Sequence, residues 1–574
     1  MGGAAPSGRH VLRQAIRGQR RDVAAGAALG AGHQAGEALV PVLIGVLIDQ
    51  AVAGGDAGAL AGWLAVLAVV YAGLSFSFRF GARAGERAAE QAAHDLRVRL
   101  VARVLDPRGG AENGRLPGAL ASIATEDAKR VGAVAMAVMS GVSALTGLAV
   151  GAVVLLLISV PLGLVVLAGT PVLLWAGHLL GKPLERRSEA EQERAAHSSG
   201  VAADLVAGLR VLKGIGAEAA AVTRYRITSG ESLAATLRAA RAEAVQSGLV
   251  LALTGLFIAA VALVGGRLAV QGDVSLGQLV SAVGLASFLL GPLEVLSWVN
   301  AELAQGRASA ARVAAVLAAP PDVASGAGRL PAPVRGAMRL RGVVHGPLRA
   351  IDLDVAPGEV LGVAATDPAD ADALLRCLDR RADPDGGVVE LDGVSLHDLD
   401  PAEVRTAVLV AGHDADLFAG TVRGNVTSAD DSADDSADDS AEDRAEDRAD
   451  RAMAAAGVAG ALPLGGETPV SEGGRSLSGG QRQRVALARA LAAGRAVLVV
   501  HDPTTAVDAV TEARIAAGIR EMRRGRTTIL VTTSPALLAV ADRVALLDGG
   551  RIADTATHAD LLRRHAAYRA AVLA

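Results

Sequence analysis

The chain has 574 residues, too many for a single hydrophobic core. Apolar residues make up 51% of it, aromatics only 2%, and 68 positions are glycine, a balance that suits membrane helices packed through small side chains. The net charge of −4 comes without a basic patch interleaved with aromatics, which argues against a nucleic-acid binder, and the single cysteine, Cys377, excludes an intramolecular disulfide and reads as a small buried hydrophobe.

Residues 1–22 form a short N-terminal segment carrying Arg9, Arg13, Arg17, Arg20 and Arg21. The apolar stretch behind them is long enough to span a bilayer, so it reads as an anchor and not as a cleaved signal. Six such stretches follow one another: Val23 to Ile48, Ala57 to Phe80, Ala133 to Ser159, Leu162 to Leu180, Gly248 to Val270 and Leu276 to Val299. Each covers the ~30 Å of hydrocarbon at 1.5 Å per residue. The connections after the first, third and fifth are short and poor in basic residues. Those after the second and fourth are long and rich in Arg and Lys, with Arg79, Arg83, Arg87, Lys182, Arg186 and Arg187 close to the spans. The positive-inside rule therefore predicts a multi-pass protein of the plasma (inner) membrane with both termini cytoplasmic. The long connections read as polar-faced helices that continue the spans, with Leu116 to Val131 and Gly208 to Glu218 at their tips. Ionisable groups inside spans are costly and point to function. His33 and Glu37, one turn apart in the first span, and Glu294 in the sixth are candidates to face a substrate cavity; helix-to-helix hydrogen bonding or an interfacial position is the plainer alternative.

The transmembrane part is expected over 23–306 and a linker over 307–336, its Pro, Gly and Ala-rich portion running from Ala318 to Gly336. Residues 337–574 then alternate short β-like runs with amphipathic helices, an α/β pattern. Ser476 to Arg484 reads Ser-Leu-Ser-Gly-Gly-Gln-Arg-Gln-Arg, followed by a helix at Val485 to Ala493, a buried strand at Ala496 to Val500, and Pro503-Thr-Thr-Ala-Val-Asp508. This order of motifs resembles the nucleotide-binding domain of ATP-binding cassette transporters, and with the six spans it resembles the exporter half-transporters of that family. The resemblance implies an all-α six-helix transmembrane domain followed by an α/β P-loop-type ATPase domain, with coupling segments at the two helical tips. It further implies that Ser478, Gly479, Gly480, Gln481 and Asp508 contact an ATP held by an opposing domain. The residue types suit that role. A hydroxyl and two glycine amides at a helix N-terminus make an anion site, whereas a simple cap would need neither Gly-Gly nor Gln481.

The chain departs from the family where it would hold its own nucleotide. A phosphate loop reads G-x-x-x-x-G-K-[ST] between strand and helix. Here Ala365 to Asp372 stands between a strand at Val360 to Ala364 and a helix at Ala373 to Leu378, with Ala371 at the lysine position and Asp372 at the magnesium-binding hydroxyl position. Pro368 removes an amide donor, and Asp367, Asp370 and Asp372 bring carboxylates near the space for triphosphate. Two like charges ~4 Å apart repel by roughly 4 kcal/mol at an effective dielectric of about 20. Asp367 also suits an N-cap, Pro368 a first helical residue and Asp370 a first turn, so that the helix would satisfy its own amides. His501 stands where the family has a magnesium-associated aspartate, Asp502 where it has the catalytic glutamate, His413 at the glutamine of the magnesium-sensing loop, and Thr533 at the switch histidine. No tyrosine lies near His345 to stack on adenine.

The retained residues serve a neighbour's nucleotide and the lost ones this chain's own. The expected reading is a half-subunit of a heterodimeric exporter, with ATP and Mg2+ at the partner's site, the own site weak or empty, and no metal held by this chain. A non-hydrolysing homodimeric or regulatory membrane component is the alternative, and a nucleotide-gated channel would carry the same motifs. The acidic repeat at 428–450 reads as a solvated, disordered or frayed helical insertion, with a docking or ion-sensing tail as its functional alternative. The cargo is open among amphipathic peptides, siderophores and drugs.

Overall fold

The structure is a computed structural model that describes residues 7–413, 416–427 and 439–573. The chain divides into two compact units, one holding the residues up to Val101 and Leu116–Ala318, the other Ala102–Arg115 and Ala319 onward.

The first unit is all helical. It contains α1 (Gly8–Gly18), α2 (Arg20–Leu47), α3 (Ala57–Val104), α4 (Pro117–Ser122), α5 (Ala128–Ile158), α6 (Val160–Ala207), α7 (Leu209–Gly214), α8 (Glu218–Gln271), α9 (Leu276–Phe288) and α10 (Leu290–Leu317), the last residues of α3 crossing into the second unit. Among the described residues five helical stretches are long and apolar enough to cross a membrane: Arg20–Val52, Ala57–Val104, Pro117–Ile158, Glu218–Gln271 and Leu276–Leu317. The fourth expected span, Leu162 to Leu180, starts α6, whose described apolar stretch is Val160–Leu173. With 48, 48 and 54 residues, α3, α6 and α8 are roughly 70 to 80 Å long, more than twice the hydrocarbon thickness, so the apolar stretches do continue as polar helices.

Small side chains set the helix spacing. A Cβ on Gly45 of α2 would lie 2.2 Å from the Gly277 carbonyl oxygen of α9, and one on Gly277 would lie 2.0 Å from that of Gly45, so the two backbones touch where only glycine fits. Ala38, Leu155, Leu162, Val261 and Leu285 fill the core between α2, α5, α6, α8 and α9. Just before α5, Asp127 is buried and accepts from Ser309 Oγ (2.9 Å) and Arg312 Nε (2.8 Å) of α10.

The second unit is α/β. Its strands are β1 (Met338–His345), β2 (Leu348–Val355), β3 (Val360–Ala365), β4 (Gly386–Leu391), β5 (Val394–Ser395), β6 (Val408–Ala411), β7 (Gly420–Thr421), β8 (Pro469–Val470), β9 (Val497–His501), β10 (Thr527–Val531), β11 (Arg543–Asp548) and β12 (Arg551–Ala556). Its helices are α11 (Pro368–Leu378), α12 (Pro401–Ala407), α13 (Val422–Thr427), α14 (Asp439–Ala455), α15 (Gly479–Ala492), α16 (Ala509–Met522), α17 (Pro535–Ala539), α18 (His558–Arg564) and α19 (Ala566–Val572). An antiparallel sheet runs β2-β1-β4-β5 and a larger one β12-β11-β3-β10-β9-β6, parallel except for β11 with β12. In the parallel core β10 is buried along its whole length and β3 and β9 up to their last residue, as befits strands covered on both faces and built largely from Val, Leu, Ile and small residues.

Several boundaries differ from those read in the sequence. Residues 307–317 are helical because α10 runs to Leu317, so irregular chain begins only at 318. That irregular stretch is tightly held: Gly326 N donates to Leu399 O (2.8 Å), Gly328 N to Asp398 O (2.7 Å), Leu330 N to Glu403 Oε1 (2.8 Å) and Ala337 N to Asp392 Oδ1 (2.7 Å). Arg380, 1% exposed, adds hydrogen bonds to the carbonyls of Ala324, His397 and Leu399. Residues 428–438 of the acidic repeat lie outside the described residues; from Asp439 the chain is α14, whose Ala449, Ala452 and Met453 join the core beside α15 and α16.

Candidate functional site

β3 ends at Ala365, and Thr366 ties the turn to β11 through Thr366 N to Leu547 O (3.0 Å) and Thr366 Oγ1 to Asp548 Oδ1 (2.7 Å). Asp367 is in an extended conformation and its Oδ1 accepts from Ala369 N (2.8 Å), so the helix begins at Pro368, five residues before Ala373. The earlier start follows from the cap and from proline's preset φ. The amides of Asp370 and Ala371 donate to Asp367 O at 3.1 and 3.4 Å. Asp370 does not face the loop. It is 3% exposed and its Oδ2 accepts from Gly550 N (2.8 Å), fastening α11 to the β11–β12 turn. Ala371 is buried in the sheet core. Asp372 alone of these acids is exposed on the helix, and with Arg376, Arg381, Arg405 and Arg108 it lines a cavity of about 420 Å³.

β9 pairs with β10 so that His501 lies opposite Val531. Asp502 follows with φ +42°, a conformation disfavoured for a side chain bearing Cβ, held by Asp502 N to Val531 O (3.0 Å). His501 Nε2 is 3.7 Å from Asp502 Oδ2, and the His413 ring meets His501 edge-on with centroids 5.3 Å apart. Burial keeps the His501 imidazolium disfavoured, against the pull of Asp502, so its pKa lies below the ordinary value. His413 also lines a groove of about 500 Å³ with Gln483 and with Arg489, whose guanidinium lies 5.9 Å over the Phe418 ring. His413, His501 and Asp502 are thus brought together, while Thr533 is exposed in the loop after β10.

Ser478 begins α15 with a capping box: its Oγ accepts from Gln481 N (3.3 Å) and Gln481 Oε1 accepts from Ser478 N (2.8 Å). Gln481 Nε2 reaches Ala461 O (2.8 Å), so this side chain positions the turn. The two glycines differ. A Cβ on Gly480 would meet Ala506 O at 2.5 Å, whereas the nearest atom to one on Gly479 is Ala506 Cβ at 3.7 Å, an ordinary contact. Gly479 is exposed, and among the described residues no acceptor is bonded to the amides of Gly479 or Gly480. Gln483, which the sequence reading passed over, pins the loop before α16 by accepting from Ala506 N (2.9 Å) and donating to Thr505 Oγ1 (2.6 Å); its only sequence signal is its place two residues after Gln481. Asp508 caps α16 through Thr511 N (2.9 Å), a bond that keeps its exposed carboxyl below the usual range.

In the first unit, His33 Nε2 stands 3.8 Å from Glu37 on α2, while Glu294 is exposed on α10.

Residues 23–293 match the ABC transporter transmembrane region family and residues 348–505 the ABC transporter family. The chain belongs to the ABC transporters as a fusion of a helical transmembrane domain with an α/β ATPase domain, and it is a multi-pass membrane protein. It is 32% identical to a multidrug efflux ATP-binding/permease protein of Mycobacterium bovis over 83% of this chain and 40% of that one, so it spans about two fifths of that relative. It is 28% identical to an ATP-dependent lipid A-core flippase of Thiobacillus denitrificans over 71% of this chain and 70% of the relative. A bacterial Atm1-family ABC exporter with ATP bound shares the fold, with TM-score 0.74 at 23% identity over 98% of this chain and 99% of that one.

Proposed function

We propose that this chain is one half of an ATP-driven exporter of amphiphilic molecules, and that it lends the start of α15 to an ATP held by a second, competent half-transporter. The observation that carries this is Gly479. Nothing in the chain's own packing calls for glycine there, and with Gly480 it leaves two amides without an acceptor at the positive end of a 14-residue helix. A glycine unexplained from within fits a position on which an outside anion presses, and the Ser478 cap directly precedes it.

The own site is degenerate in this reading. Magnesium-bound triphosphate does not fit the residues of the β3–α11 turn: the amides of Thr366, Ala369, Asp370 and Ala371 are all engaged within the chain, Pro368 has none, Ala371 brings no charge, and Asp367 places a carboxylate at the helix start. His501 is a poor magnesium ligand and Asp502 is one methylene shorter than a glutamate base. ATP and Mg2+ then belong to the partner's site. Both termini face the cytoplasm of the inner membrane, as the Arg-rich long connections require. The relatives' names, multidrug efflux and lipid flipping, agree with amphiphilic cargo.

The test is to purify the chain alone and with a half-transporter bearing an intact lysine loop. ATP turnover only in the pair is expected; turnover by this chain alone would overturn the reading. A stable homodimer that also silences every such partner would favour the regulatory alternative.

A further inference from the structure

A cavity of about 280 Å³ lies among α2, α3, α5 and α10, close to the lower end of the ~300–1,000 Å³ range of small-molecule pockets. Its polar lining has a consistent sense. The Nδ1 of His33 is 3.0 Å from Leu74 O, and a carbonyl can only accept, so Nδ1 carries a proton and is no free acceptor, while Nε2 faces Glu37 at 3.8 Å. Ser77 donates its single hydroxyl hydrogen to Leu29 O (2.8 Å) and Ser143 donates its own to Met139 O (2.9 Å). Each of these oxygens therefore has only lone pairs left for a ligand. Met136 and Met139 add thioether sulfurs, which accept weakly and adapt in shape. Only Gln34 and Ser140 can present either a donor or an acceptor. Among the described lining residues there is no lysine, arginine or tryptophan.

Charge points the same way. Glu37, 3.8 Å from His33 Nε2, is the nearby ionisable group beyond the imidazole, and among the described residues no lysine or arginine pairs with it. Phe78 lines the cavity with its ring centroid 5.5 Å from that of His33, an aromatic face of the kind that attracts cations. A wall of acceptors beside a carboxylate and an aromatic ring is complementary to a ligand that is positively charged, rich in N–H donors and otherwise apolar.

We propose that this cavity binds the ammonium head of a protonated primary amine with an apolar body. The proposal rests on the reading of the first unit as a transport path and names the cargo chemistry that path selects. The experiment uses the full chain in lipid nanodiscs, without nucleotide or partner, and follows saturable binding of 1-naphthylmethylammonium, 1-naphthylmethanol and 1-naphthoate above the signal of empty discs. The expected result is an ammonium affinity about tenfold above that of the alcohol, with no saturable binding of the carboxylate. Glu37→Gln lowers the ammonium affinity about five- to tenfold and leaves the alcohol unchanged, and Ser77→Ala lowers it by a smaller factor. Equal affinities for the three probes, or an ammonium affinity that neither variant changes, would overturn the inference. Because the measurement needs no ATP, amine binding without ATP-driven movement would leave this inference standing and remove the export reading. Export by the pair of a cargo other than amines, with no amine binding, would do the reverse.

Discussion

Two helices of the ATPase unit, α11 and α15, begin at loops and use their first amides in opposite ways. In α11 the carboxylate of Asp367 caps Ala369, proline occupies the first position, and the following amides return to the Asp367 carbonyl. In α15 a Ser478–Gln481 box fixes the turn but leaves Gly479 and Gly480 open. The same dipole is thus neutralised internally at one helix start and kept available at the other. A helix start becomes an anion site by what its side chains decline to fill.

Variants can break or sharpen this contrast. The largest effect is expected for Gly479→Asp in the presence of a competent partner: ATP turnover falls about 100-fold or more, because a carboxylate enters the place of a phosphate contact, while the open space around Gly479 keeps the thermal midpoint near that of the parent. Restoring a lysine is not expected to reopen α11. Ala371→Lys buries a charge among apolar neighbours, costs about 3 kcal/mol in a denaturation assay, and yields no binding of a fluorescent ATP analogue, since the turn's amides stay engaged. Asp370→Ala comes next, at about 2 kcal/mol, because it leaves Gly550 N buried without an acceptor, whereas Asp372→Ala, on the exposed face, changes stability little. Asp367→Ala removes only the cap, about 1 kcal/mol.

The smallest effect concerns pH. His501 binds a proton less readily folded than unfolded, so below the ordinary histidine pKa of ~6.5 the unfolded chain takes up more protons and stability falls as pH falls. His501→Gln should flatten that slope in melting experiments between pH 7 and 5. An identical slope in parent and variant would show that burial of the imidazole is not its source.

The sequence carried some of this plainly and other parts not at all. Apolar stretches and the order of motifs place the helical unit, the parallel strands and the α15 start, because each rests on local pattern. Asp367 and Pro368 announce the cap of α11 in the same local way. The role of Asp370 is not legible locally because its partner, Gly550, is 180 residues away, and an acid in a first turn looks solvated until that amide is seen. Arg380 was invisible for the same reason: its burial depends on three carbonyls that only the fold gathers. The grouping of Ala102–Arg115 with the ATPase unit follows from Arg103 Nη2 to Ala319 O (2.8 Å) and Asp322 N to Arg108 O (3.0 Å), contacts that no hydropathy profile encodes.

The fastened stretch from 319 to 337 has a practical consequence. Its composition of Pro, Gly and Ala is that of a segment a protease would be expected to nick, since cleavage needs backbone that can be drawn out and extended. With Arg380 gripping the Ala324 carbonyl and the amides of Gly326, Gly328, Leu330 and Ala337 all engaged, little of that backbone is free to thread into a cleft. Limited digestion of the intact protein should therefore spare the join between its two units, and fragments from the folded chain should carry it whole.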